Sequence, residues 1–343
     1  MSGTSAGAAI LVVALLGPSP ATAADQPVAI ELPGGSGGIG FDDLQFSTRL
    51  GRVLAPGGRT GRLFLVDPKN LAVSWIEGFS PSRTYGGGHG EGITSVSEGE
   101  DRLFVTDRTA RALLVVDPAS RKITARAKLA ASPDYVRYVA PTREVWVTEP
   151  DADQIEIFRL GAADEPPAHS AFIPVKNGPE SLVVDGTRGR AYTHLWEATT
   201  LAIDLKTRSV AARWKNLCEG SRGIALDEAN GFLFAGCSEG RAVVLDAAHD
   251  GKILGNLEIE AAGVDIIDYD RKLHHLYLPG AKSSSTVVLA VGEDGSLTRL
   301  AAVPTPAGAH CAVSDQDGRV YVCDPKAGKL LAIPDRFAAS PRP

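Results

Sequence analysis

A period of roughly 42 to 49 residues runs through this chain and limits its fold more than any other feature. Each unit reads as short apolar strands separated by turn residues. The clearest copy runs from Gly92 through ITSVS, a turn at Glu98–Asp101, RLFVTD (102–107), a second turn, ALLVVD (112–117), a third turn, and KITARA from Lys122. Its relatives carry EVWVTE (144–149) with QIEIF (154–158), GFLFAGC (231–237) with RAVVLD (241–246), and RVYVCD (319–324) with KLLAI (329–333). Turn signals every eight to twelve residues and no sustained helical period indicate an all-β chain. A long repeat of four strands is that of a β-propeller blade. The expected fold is therefore a seven-bladed β-propeller of four-stranded antiparallel blades. The blades fall near 40–79, 90–132, 133–176, 177–217, 218–260, 261–306 and 307–336.

The last unit supplies only three strands before a Pro-containing tail at 337–343, while VAIEL (28–32) belongs to no other unit. Pairing this segment with the strand near 329–333 completes the seventh blade and removes two open sheet edges. The expected propeller domain spans 25–336. Residues 1–24 read as a signal peptide: AAILVVALL (8–16) is too short to span a bilayer and precedes a small-residue Ala21-Thr22-Ala23 pattern. No Lys or Arg precedes that run. The expectation is an exported protein, periplasmic or secreted, with no membrane span in the mature chain. Four cysteines agree with export. Cys218 with Cys237, and Cys311 with Cys323, lack CxxC spacing and are each placed to form a disulfide. The alternative is two pairs of buried thiols.

The second strands FVTD (104–107), WVTE (146–149) and YVCD (321–324) resemble the repeats of the YVTN-type, YncE-like propellers over nearly the whole mature chain. The resemblance implies the propeller fold and no single activity. YTHL (192–195), FAGC (234–237) and YLPG (277–280) depart from the motif in three consecutive blades.

One position per blade is unexpectedly polar. Two residues before the first buried apolar residue of each innermost strand stand Asp42, Glu91, Asp134, Glu180, Arg222, Asp265 and His310. Near-symmetry of the ring places them around one mouth of the central channel. Carboxylates so grouped repel one another and lose hydration, so something must compensate: a cation, the Arg222 guanidinium or water. The blander reading is a set of polar residues that cap turn amides in a wet channel. Loops between second and third strands open on the same face and bring Glu149, His194 and Trp196. His89 in GGGHGE (86–91) lies just upstream.

His89, His194 and His310 with Glu91 and Glu180 form a candidate metal set. Imidazole with carboxylate suits zinc, iron or manganese, and oxygen ligands alone suit calcium. A divalent metal (calcium, zinc or iron) is the only cofactor expected. The excess of 41 acidic over 35 basic residues argues against nucleic acid as a partner. No Gly-x-Ser-x-Gly elbow or Walker loop is present.

Two functions follow. In one, the chain is a binding protein that presents the acidic, His-lined mouth to a small ligand, a metal ion or a protein partner. In the other, it is a metal-dependent hydrolase of a lactone or ester, similar to the gluconolactonase-type propellers, although the ring lacks their Asn.

Overall fold

A computed structural model describes residues 26–162 and 165–337. The expected signal peptide at 1–24 lies outside the described residues, as do Ala24 and Asp25 and all but the first residue of the tail. Seven four-stranded antiparallel sheets follow one another, at 45–81, 93–128, 136–174, 183–215, 221–258, 268–304 and 312–334, the last completed by Val28–Glu31. These are numbered blades 1 to 7. The only helical turns among the described residues are the short 3-10 segments Ala140–Thr142 and Pro150–Ala152.

Local chemistry explains the repetition. In blades 2 to 6 the pairing of third and fourth strands slips by one residue at the same place, for example between Val115 and Val116, Ala202 and Ile203, and Val288 and Leu289. A bulge of this kind increases strand twist, and its recurrence gives the blades a common shape. The Asp that ends the third strand accepts a main-chain N–H two residues on: Asp67 from Lys69 at 2.9 Å, Asp117 from Ala119 at 2.9 Å, Asp204 from Lys206 at 3.0 Å. These Asx turns explain why the strand ends in a polar residue. The same hairpins close on a left-handed residue, Leu71, Arg121 and Arg208.

The core lies between adjacent blades. The third residue of the second strand is an aromatic in six blades: Phe104, Trp146, Tyr192, Phe234, Tyr277 and Tyr321, all fully buried. Fourth strands alternate instead, half-exposed, as in SVAARWK (209–215). Val28–Glu31 pairs with the strand Lys329–Pro334 through four residue pairs, from Val28 opposite Ala332 to Glu31 opposite Lys329. Ile30 and Leu32 are 4% exposed and join the core between blades 7 and 1. The chain end beyond that strand is held by Asp335, which accepts from His275 Nδ1 at 2.7 Å and Tyr277 Oη at 2.5 Å.

Both cysteine pairs are disulfides, with Cα–Cα distances of 5.1 Å for Cys218–Cys237 and 5.6 Å for Cys311–Cys323. Each joins the first strand of a blade, or its entry, to the second. They close loops of 19 and 12 residues, so removing either is expected to cost about 3 kcal/mol. Alkylation of the denatured chain should add no mass before reduction and four alkyl groups after it, one for each cysteine of the sequence. Incorporation without reductant would contradict the bonds.

Candidate functional site

A cavity of about 330 Å³ opens at the end of the channel where the innermost strands begin. Asp42, Asp134, Glu180, Arg222 and Asp265 line it, from blades 1, 3, 4, 5 and 6. Equal offsets in near-symmetric blades thus converge. His89 and Trp196 also line the cavity. His310 stands at its edge, its ring 6.2 Å from that of His89.

Three residues of the expected set lie elsewhere. Glu91 is exposed and does not line the cavity. The chain turns sharply at Gly92, φ 71°, where a Cβ would lie 2.0 Å from the Gly58 carbonyl oxygen. Close approach of blade 1 therefore breaks the symmetry in blade 2. Glu149 is fully buried, accepting from Ala131 N at 2.9 Å and Gln154 Nε2 at 2.6 Å. Burial pushes its carboxyl up to about 7. His194 is also fully buried, with Nε2 3.1 Å from the Gly223 carbonyl and Nδ1 2.9 Å from Thr200 Oγ1. Burial lowers its pKa to about 4. Both Glu149 and His194 hold strands together and do not reach the mouth.

The place left by Glu91 is taken by His89 and Arg108. Arg108 follows the VTD that closes the second strand of blade 2. Its spacing carries no signal, because its role depends on three neighbouring segments. Nε donates to the Pro133 carbonyl at 2.7 Å, Nη1 to the His89 carbonyl at 3.1 Å, and Nη2 to Asp134 Oδ1. The same guanidinium lies 3.6 Å from Asp42. Asp42 in turn accepts from His89 Nδ1 at 2.7 Å. Across the cavity Arg222 stacks over Trp196, 4.6 Å from the ring centroid, with Nη1 3.4 Å from Glu180 Oε1. Below the mouth Asp43 ties three blades together. Its oxygens accept from Gln45 at 2.7 Å, Ser95 at 2.5 Å and Arg137 at 2.5 and 3.0 Å.

The charges separate into two kinds. Asp42 holds the His89 imidazole up at about 9, so the ring is charged at neutral pH. Burial opposes ionisation of Asp42, yet His89 and Arg108 keep its carboxyl below the ordinary range. Burial, followed by the negative charge of Asp42, pushes Asp134 up to about 8. Glu180 rises for the same reasons, burial first and then Asp134 and Asp265. Lost hydration also raises Asp265. Asp134 thus keeps its proton near neutrality.

A stability consequence follows with a definite sign. Between the unfolded pKa of an Asp, near 4, and about 8, the folded chain binds a proton at Asp134 that the unfolded chain has lost. His89 acts in the same direction between about 6.5 and about 9. Stability contributed by both is present at low pH and lost as pH rises through that window. Thermal unfolding midpoints should fall from mildly acid to alkaline pH, and Asp134→Asn should flatten the slope below about pH 8. A wild-type profile that is flat or rises there would contradict this account.

Asp42, His89 and Asp134 offer ligand atoms within 4.8 Å of one another. As a metal site the group fits poorly. Arg108 already bridges both carboxylates, and His89 Nδ1 is committed to Asp42. The other expected imidazoles are no freer: His310 has Nδ1 2.8 Å from the Gly308 carbonyl and Nε2 3.0 Å from the Phe41 carbonyl. Two further His/Cys/Glu groupings contain the disulfide sulfurs.

No family model and no curated protein matches the sequence. Similar solved structures exist at low identity. One titled "Kuenenia stuttgartiensis Hydrazine Synthase" superposes with a TM-score of 0.71 at 12% identity, covering 88% of this chain and 97% of that one. One from a mitotic checkpoint complex gives 0.71 at 10% identity, covering 96% and 99%. The structure of U3-55K gives 0.70 at 12% identity, covering 91% and 99%. Likeness at this identity is a likeness of architecture, and with the seven sheets it makes this chain a seven-bladed β-propeller.

Proposed function

We propose that this chain is an exported binding propeller whose channel mouth holds a small ligand. The observation that carries the reading is convergence. Charged side chains from six blades, Asp42, Arg108, Asp134, Glu180, Arg222 and Asp265, line one concave cavity beside a partly exposed indole. The volume lies near the lower end of those that small-molecule sites occupy. Keeping several carboxyl groups there costs free energy unless each is paired or hydrogen-bonded, and a bound ligand would supply partners. Two disulfides fit an oxidising compartment, and no helix among the described residues is long and apolar enough to cross a membrane. Export through a signal peptide at 1–24 and kinship with the YVTN-type propellers belong to the same proposal.

The lactone hydrolase reading is weaker because of Arg108. Lewis-acid hydrolysis needs a metal with open positions, and here a guanidinium stands between the carboxylates that would hold it. Metal analysis of the purified chain, with a lactone screen, is expected to give neither stoichiometric metal nor turnover. Finding both would replace the binding reading by the hydrolase.

The direct test is a thermal-shift screen of anions, cations, sugars and neutral small molecules. Hits on the wild type should vanish in Glu180→Gln and Trp196→Ala. The surface variant Glu260→Gln should keep them, since that side chain is 86% exposed. Hits that persist in both pocket variants would refute the site.

A further inference from the structure

Resting on the pocket reading above, we infer that the ligand is an organic cation, an ammonium or guanidinium group carried on an apolar body. The cavity lining holds five carboxyl groups against three basic ones. The basic groups are unevenly spent. Arg108 and His89 serve Asp42 and Asp134, the remaining cation of the lining, Arg222, faces Glu180, and Asp265 feels His310 at the cavity edge more than it feels Arg222.

That side of the cavity is under-partnered. Glu180 is 8% exposed, and its carboxylate accepts no hydrogen bond among the described residues. Its nearest partner is Arg222 Nη1 at 3.4 Å, and that nitrogen is itself buried without a hydrogen-bond acceptor. Asp265 likewise accepts no hydrogen bond among the described residues. Two carboxyl groups that face one concavity and accept no hydrogen bond are a site for a positively charged donor.

The walls supply the rest of the ligand's chemistry. Pro133, Tyr135, Pro150 and Trp196 line the cavity beside the carboxyl groups. Trp196 is 37% exposed, an uncommon state for a large apolar side chain, and Leu217, at 44%, lies near it. The two segments touch: Asn216 N donates to Ala198 O at 3.0 Å, and Ala198 N to Cys218 O at 3.1 Å. An indole face is the strongest aromatic partner for a cation. Arg222, at 4.6 Å from that ring, shows that this corner accepts a guanidinium between indole and carboxylate. A ligand cation would reach Glu180 and Asp265 with the hydrogen bonds that Arg222 does not make, and its apolar body would lie on the Pro133–Trp196 wall. An anion would instead meet an excess of carboxyl groups, and a neutral ligand would leave Glu180 with only the distant Arg222 contact.

Binding should also release protons. Burial raises Glu180 and Asp265 above the ordinary carboxylate range. A cation placed between them favours the ionised forms.

The test is titration calorimetry of the whole chain at neutral pH with three probes of one shape: benzylammonium, benzyl alcohol and benzoate. Benzylammonium is expected to bind about tenfold or more tightly than benzyl alcohol, and benzoate not to bind. Its heat should differ between phosphate and Tris buffers, as proton release requires. Glu180→Gln should weaken it about tenfold, with circular dichroism showing the fold intact. Trp196→Ala, which keeps every charge, should weaken it as well. Equal binding of the neutral probe, tighter binding of benzoate, or no benzylammonium binding at millimolar concentration would each overturn the cation inference. The pocket reading is judged separately. Sugars or anions whose thermal shifts depend on Glu180 and Trp196 would keep the site and discard the cation.

Discussion

A chain lacking residues 26–33 is expected to show no cooperative unfolding transition. The deleted strand pairs with Lys329–Pro334 through four residue pairs and buries Ile30 and Leu32 to 4% exposure. Losing each of those side chains alone costs about 2–5 kcal/mol. The deletion also strips the hydrogen bonds from one edge of blade 7 and exposes the core it shares with blade 1. The combined loss approaches the roughly 5–15 kcal/mol by which a whole domain is stable. Circular dichroism melts and gel filtration check this. Adding a synthetic peptide spanning 26–33 in trans should restore part of the transition, because an extended peptide can complete an open sheet edge. A truncated chain that melts within a few degrees of the full one would show that the ring does not depend on its closing strand.

Arg108→Met should be the most damaging single change at the mouth. Asp42 and Asp134 are 3% and 5% exposed, and Arg108 serves both while also holding the Pro133 and His89 carbonyls. Removing one partner of a buried charge group costs about 3–5 kcal/mol, because the other is left desolvated and unpaired. The penalty should be greatest at alkaline pH, where Asp134 must ionise without its guanidinium and Asp42 keeps only His89 beside it. It should shrink as pH falls and Asp134 takes up a proton. Arg108→Lys should recover only part, since an ammonium cannot span two carbonyls and two carboxylates at once. Urea unfolding at acid and alkaline pH reads both effects. A loss under about 1 kcal/mol at alkaline pH would mean that the guanidinium behaves as a surface ion pair.

The sequence by itself determined the propeller, its seven blades, the closing strand and the two cysteine pairs. Those features depend on chemistry within a few residues: alternation along a strand, an Asx turn after VVD, a left-handed residue to close a hairpin. The repeat copies such local rules around the ring. Symmetry also carried part of the site, since an equal offset in each blade becomes an equal position at the channel mouth. That is why Asp42, Asp134, Glu180, Arg222 and Asp265 meet. Only the tertiary structure decided where the symmetry fails. Gly92 turns against Gly58 and Glu91 stays out of the cavity lining, Arg108 enters from a loop whose spacing marks nothing, and His194 disappears between strands. Protonation of the mouth was equally beyond the sequence. Whether Asp134 or Glu180 is charged depends on lost water and on neighbours from other blades, and a linear pattern encodes neither the distance between those groups nor the solvent left around them.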